Sequence, residues 1–148
     1  MGEEQATSVP TLRIERRFAA PPERVFDAWV TPETLSRWFG PSEDYTADVT
    51  ALETRVGGRY RFVMRHKGGA THTAYGVYQT FDRPNRLVFS FAWEEDPKHG
   101  DMRVSLVFER DGAGTRMVLV QDRFVDGESM TNHWKGWIAC FDRLQTRL

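Results

Sequence analysis

Cysteine is nearly absent from this chain. Cys140 is the one cysteine in 148 residues, so no intrachain disulfide can form, which fits a reducing compartment. Long apolar runs are missing as well, and nothing approaches membrane-spanning length. The first ten residues, MGEEQATSVP, are acidic and lack the hydrophobic segment of a signal peptide. They begin Met-Gly, but Ala6 stands where a myristoylation motif wants Ser or Thr. Charge of one sign is scarce too: 20 Lys and Arg face 21 Asp and Glu, a formal net charge of -1. With no basic stripe, nucleic acid is not expected as a partner, and an anionic membrane surface has nothing to hold. A cytoplasmic protein is expected.

Catalytic and phosphate-binding motifs are also missing. No GxSxG elbow occurs, and Gly57-Gly58 does not precede a helical pattern, so it is not a phosphate loop. His66 and His72 flank the Gly68-Gly69 turn without a carboxylate or thiol beside them, a poor zinc site. His99 falls in a polar loop and is expected to be solvated. No metal and no cofactor are expected. Glu94-Glu95-Asp96 reads as a solvated charge run before it reads as a gate.

What the chain has in quantity is aromatic residues, and their spacing is informative. At about 100° per residue, Met130, Trp134, Trp137, Ile138, Phe141, Leu144 and Leu148 fall in one sector roughly 120° wide. Asp126 to Leu148 is therefore predicted as one amphipathic helix lying on a core, with Asp126 as its cap and Glu128 near the positive end of its dipole. The middle of the chain has the period of strands instead. Tyr60, Phe62, Met64 and His66 alternate with charged neighbours, and Leu87, Phe89, Phe91 and Trp93 alternate with Val88, Ser90 and Ala92. Further strands are expected at Thr11 to Ala19 (with Arg16 breaking the pattern), Tyr45 to Leu52, Thr71 to Asp82, around Val104 to Phe108, and Arg116 to Asp122. Pro21-Pro22 opens a helix carrying Val25, Phe26 and Trp29. Thr31-Pro32 opens a second, with Thr31 as cap, carrying Leu35, Trp38 and Phe39 until Gly40-Pro41 stops it.

The predicted order is β-α-α-β-β-β-β-β-β-α, an α+β domain over 11–148 behind a disordered tail at 1–10. In it a curved antiparallel sheet of six to seven strands wraps around the long C-terminal helix. Between sheet and helix lies either solid core or a pocket. The aromatics Trp38, Tyr60, Phe62, Phe89, Phe91, Trp93, Trp134 and Trp137 are candidates to face inward. Tyr60, Met64, Tyr78, Gln121 and His133 would add polar or adaptable points.

Four stretches carry a family resemblance: Pro22-Glu23-Arg24-Val25-Phe26-Asp27-Ala28-Trp29 with Leu35-Ser36-Arg37-Trp38-Phe39-Gly40-Pro41; Gly57-Gly58-Arg59-Tyr60-Arg61-Phe62; Pro84-Asn85-Arg86-Leu87-Val88-Phe89; and His133 with Gly136-Trp137 and Leu144. From about Thr11 onward the chain resembles the activator of heat shock protein 90 ATPase homologue-like family, of the START-like, helix-grip (SRPBCC) superfamily. The resemblance implies a deep cavity between sheet and C-terminal helix, used by relatives to bind apolar ligands or, in some branches, to cyclise polyketides. The eukaryotic co-chaperone of the family title has an additional N-terminal domain that this sequence lacks.

The function expected first is binding of a small apolar or aromatic molecule, by Trp38, Tyr60, Phe62, Met64, Tyr78, Phe91, Trp93, His133, Trp134 and Trp137. The alternatives are a cyclase- or aromatase-like enzyme, in which His133 is the weak catalytic candidate, and a co-chaperone-like interaction module. No paired titratable groups converge in the sequence to favour the enzyme. His133 reads first as a structural histidine at the seam between helix and sheet, and Cys140, two turns further on, as buried and inert. A homodimer is compatible with the pattern.

Overall fold

The computed structural model describes residues 10–148; the tail expected at 1–10 lies, apart from Pro10, outside the described residues. Strand β1 (Leu12–Phe18) turns its apolar residues inward and its charges outward. Arg16 breaks that alternation for a reason: Nη1 donates to Asp142 Oδ1 and Gln145 Oε1, both at 3.0 Å, on the C-terminal helix. Pro21 and Pro22 then start α1 (Pro22–Val30), which buries Val25, Phe26, Ala28 and Trp29. Proline suits this place because the first helical N–H groups have no intrahelical partner.

Helix α2 (Pro32–Trp38) follows directly. The expectation that Thr31 caps it is corrected here. Thr31 makes no side-chain cap bond, and its Oγ1 donates instead to Asp27 O at 2.6 Å, closing α1. Trp38 Nε1 reaches back to Ala28 O at 3.0 Å, which staples the two short helices together.

The remaining strands are β2 (Tyr45–Leu52), β3 (Arg59–His66), β4 (Thr71–Asp82), β5 (Arg86–Trp93), β6 (Met102–Asp111) and β7 (Gly114–Asp122). They form one antiparallel meander, and β1 returns beside β7, so the sheet runs β1-β7-β6-β5-β4-β3-β2. The last turn is tight: Gly114 pairs with Asp111, leaving Gly112 and Ala113 to turn the chain, with Gly112 at φ 62°. Gly76 has a different task. A Cβ there would stand 2.0 Å from the Ser90 carbonyl oxygen, so only glycine lets β4 and β5 approach this closely.

Helix α3 (Gly127–Gln145) lies in the concave face, and Asp126 caps it as expected by accepting from Ser129 N at 2.8 Å. The result is an α+β helix-grip fold. No helix among the described residues is long and apolar enough to cross a membrane.

The core follows the strand period. Leu87, Phe89 and Phe91 on β5, Met102, Val104, Leu106 and Phe108 on β6, and Met117 and Leu119 on β7 are all buried against α1 and α3. Trp29 is a hub, with ring centroids 4.8 Å from Trp38, 5.5 Å from Trp137 and 5.9 Å from Phe141. Trp137 is stacked on Phe141 at 5.6 Å.

One inward residue is misplaced by helical counting: Trp134 is 45% exposed. It shares a sector with Phe141, two turns later, yet Phe141 is fully buried. The C-terminal half of α3 is held by β1, α2 and the loop after α2, through Asp142, Gln145, Cys140 and Arg143. At Trp134, no described residue packs a ring against the indole.

This contrast predicts two stabilities. Trp137→Ala should lower the unfolding free energy by about 3–5 kcal/mol, the range for deleting a core aromatic. Trp134→Ala should change it by no more than about 0.5 kcal/mol. Denaturant titrations of both variants test this, and equal losses would mean that α3 seats differently.

Candidate functional site

The strand and helix periods converge on one opening between β3, β4, β5 and the first half of α3. There the structure holds a cavity of about 310 Å³, open to solvent on one side. This is at the lower end of the range for small-molecule sites. Its deep walls are Phe39, Met64, Phe91 and Trp137; its mouth carries Tyr45, His72, Glu95, Asp96, His99 and Asn132. Helix α3 contributes His133, Gly136, Trp137 and Cys140. That spacing of i, i+3, i+4 and i+7 is one face of a helix. A Cβ at Gly136 would meet nothing within 4 Å. The helix therefore leaves open space where any other residue would place a side chain.

Of the ten binding candidates, Met64, Phe91, Trp93, His133 and Trp137 border this cavity. Four others lie deeper. Trp38 is fully buried in the core. Tyr60, Phe62 and Tyr78 surround a separate void of about 10 Å³, which is room for a single water. Phe39 and Phe91 border both spaces. Tyr78 does face inward, and burial pushes its phenol above the usual range, as it does that of Tyr60. Tyr60 OH is committed to Ser90 O at 2.6 Å. Trp134 does not border the cavity; it faces water. Gln121 is buried and spends its amide on holding Trp137, accepting from Nε1 at 2.7 Å.

His133 is held in a defined tautomer. Trp93 Nε1 donates to His133 Nε2 at 2.9 Å, so the ring proton sits on Nδ1, which donates to Ser129 O at 2.7 Å. Adding a second proton would set two N–H groups against each other. Burial lowers the pKa of His133 below the usual 6.5; the Ser129 bond opposes this and neighbouring His99 adds to it. A neutral imidazole with both nitrogens engaged is a poor acid or base.

His99 is not solvated as the loop composition implies. It sits on a short 3₁₀ turn, Pro97–His99, with Nε2 2.9 Å from Asp96 Oδ2 and Nδ1 3.1 Å from Ser129 Oγ. The sequence Asp96–His99–Ser129 has the order of contacts of a hydrolytic triad. Ser129 is buried, however, and does not border the cavity, so its hydroxyl tethers the loop to α3. The loop's other acids are also organised. Glu94 forms a fork with Arg61 at 2.7 and 2.8 Å. Glu95 accepts from Thr73 N at 2.6 Å and Thr73 Oγ1 at 2.7 Å.

The far wall is fastened by Arg143. Its Nη1 donates to Gly40 O and Ser42 O at 3.1 and 2.8 Å, and its Nη2 to Arg37 O at 2.8 Å. Cys140 Sγ adds a contact to Gly40 O at 3.3 Å. Burial pushes the Cys140 thiol up to about 11, so it stays protonated. Together these bonds hold the loop after α2, and with it Phe39, Pro41 and Tyr45, at the cavity edge. Among the described residues no three His, Cys, Asp or Glu side chains come together as a metal site.

Residues 19–148 match the family model of the activator of Hsp90 ATPase homolog 1-like protein. The chain belongs to that family. Solved structures with this fold include a protein from Chromobacterium violaceum, with 27% identity, TM-score 0.85, and coverage of 92% of this chain and 94% of that one. Another is an AHSA1 protein from Silicibacter pomeroyi, with 27% identity, TM-score 0.79, and coverage of 93% and 96%. The AHSA1-like protein from Aeromonas hydrophila, 24% identical with TM-score 0.77 and coverage of 93% and 90%, shares the fold. The comparison with curated proteins gave no significant match. Family membership places the chain in the START-like, SRPBCC superfamily, whose fold is compatible with ligand binding.

For this AHSA1-like chain, the neutral His133 makes a spectroscopic prediction. Its folded pKa is lowered, so folding disfavours its protonated form. Stability should hold above the free imidazole pKa near 6.5 and fall as pH drops through and below it. An NMR titration should show the His133 ring titrating at lower pH than free imidazole. A ring titrating at or above the free value would contradict the Trp93–His133–Ser129 arrangement.

Proposed function

We propose that the protein binds one small apolar or aromatic molecule in the cavity between the sheet and α3. The observation that carries this reading is the space at Gly136. A glycine inside a helix is unfavourable by about 1 kcal/mol relative to alanine. Here it stands in the middle of the cavity-facing stripe, with no neighbour that a side chain would strike. A protein selected for stability alone would fill that volume. The walls are aromatic and sulfur-bearing, surfaces that adapt to a flat or irregular apolar body.

Binding is favoured over turnover by the state of His133, Cys140 and the two inner tyrosines. The two ring nitrogens of His133 are committed, the Cys140 thiol is protonated, and Tyr60 and Tyr78 are buried outside the cavity. None of these groups is poised to move a proton at pH 7.

Two variants test the reading. Native mass spectrometry and a thermal-shift screen against aromatic and polyketide-like compounds would first identify a binder, whose shift should saturate with concentration. Gly136→Leu should abolish that shift while leaving the melting temperature of the free protein equal or higher, because leucine fills the space and suits a helix. Phe91→Ala should weaken the binder without abolishing it. An undiminished ligand shift in Gly136→Leu would remove this cavity as the site.

A further inference from the structure

The cavity is not uniformly apolar, and the distribution of charge around it is one-sided. None of its lining residues is Lys or Arg, while Glu95 and Asp96 stand together at the mouth. Several other surface acids are paired with arginines: Glu94 with Arg61, Asp48 with Arg65, Asp27 with Arg83, Asp122 with Arg103. Among the described residues, neither Glu95 nor Asp96 forms an ion pair with Lys or Arg, although Arg61, held by Glu94 outside the cavity lining, feels the charge of Glu95. Asp96 has only the His99 ring.

Glu95 is nevertheless fixed in place. Burial works against its charge, but the hydrogen bonds from Thr73 Oγ1 and Thr73 N, helped by nearby His72, outweigh it and hold the carboxyl below the usual carboxylate range. It is an anion at pH 7, oriented by two short bonds, on the rim of an apolar cavity. Trp93 and Tyr45 line the same cavity. Aromatic faces attract cations through their quadrupole, and tryptophan does so best. An anionic ligand head at this mouth would meet two carboxylates and no lysine or arginine of the cavity lining.

Resting on the binding function proposed above, we infer that the ligand is a hydrophobic amine: an apolar or aromatic body in the cavity with a protonated nitrogen at the mouth, between Glu95, Asp96 and the Trp93 face. The body supplies the burial and the nitrogen supplies orientation. The ammonium would donate to the carboxylate oxygens while its adjoining carbon rests on the indole. Neutral molecules of the same shape enter the same cavity but lack this anchor, and carboxylates are repelled.

The test uses three probes of one shape: 1-naphthylmethylamine, 1-naphthalenemethanol and 1-naphthoic acid, measured by isothermal titration calorimetry on the full chain at pH 7. The amine should bind at least about fivefold more tightly than the alcohol, the equivalent of one half-exposed ion pair, and the acid most weakly. Raising the salt concentration should narrow the gap between amine and alcohol, because the pair is partly exposed. In Glu95→Gln/Asp96→Asn the amine should fall to the affinity of the alcohol, the ratio between the two being the quantity read. Asp96→Asn alone, which leaves the Glu95–Thr73 bonds intact, should lose part of the preference even if the double variant folds poorly. Alcohol and amine binding equally, or the acid binding best, would overturn the amine head and leave the cavity function standing. Failure of all three probes to bind would overturn both.

Discussion

A buried hydrogen bond of 2.7 Å, from Trp137 Nε1 to Gln121 Oε1, governs how the C-terminal helix sits in the sheet. Both side chains are nearly inaccessible, so neither polar group can turn to water if the bond breaks, and an orphaned partner would cost about 1–3 kcal/mol. Gln121 is itself steadied on β7, where its Nε2 lies 3.4 Å from Met102 Sδ. The bond thus sets the rotation of α3 about its axis. With that rotation set, Phe141 lands on Trp29 and Trp38, Arg143 reaches the loop after α2, and His133, Gly136 and Cys140 turn to the open side. The cavity is what remains between a helix held at this angle and a sheet that curves away from it.

Polar atoms around the cavity serve mainly to fasten its walls. Arg143 and Cys140 hold one wall, the Trp93–His133–Ser129 chain holds another, and Asp96–His99–Ser129 ties the loop after β5 to the start of α3. Three separate segments are therefore clamped to one helix. These bonds hold the frame in place without contacts across the apolar interior. For the binding proposed here, a preformed cavity avoids the ordering cost that a collapsed one would incur.

Much of this architecture was legible in the sequence because it rests on periods. Alternation identified the strands, including all of β2 and β4 with their ends, and the 3.6-residue period together with Asp126 located α3. The cavity lining was legible only where it coincided with those periods: Met64, Phe91 and Trp93 lie on inward strand faces, and Trp137 lies in the helical stripe with His133 at its flank. Trp134 marks the limit of what helical spacing encodes. Angle around a helix is encoded in spacing, but what covers each turn along its length is decided by long-range packing. Residues on loops, such as Glu95, Asp96 and His99, have no period to betray them. Gly136 was missed for the opposite reason: an empty place leaves no apolar signal. Its one sequence cue is a glycine inside a strong helical pattern, which already asks for a packing explanation.

The five tryptophans end up in three distinct surroundings. Trp29, Trp38 and Trp137 are buried, Trp134 stands in water, and Trp93 lies half-covered at the cavity with its N–H tied to an imidazole. The ultraviolet emission of this protein is consequently a sum of three populations: a blue-shifted majority from the interior, a red-shifted contribution from one solvated indole, and one ring whose colour is set by the cavity's contents.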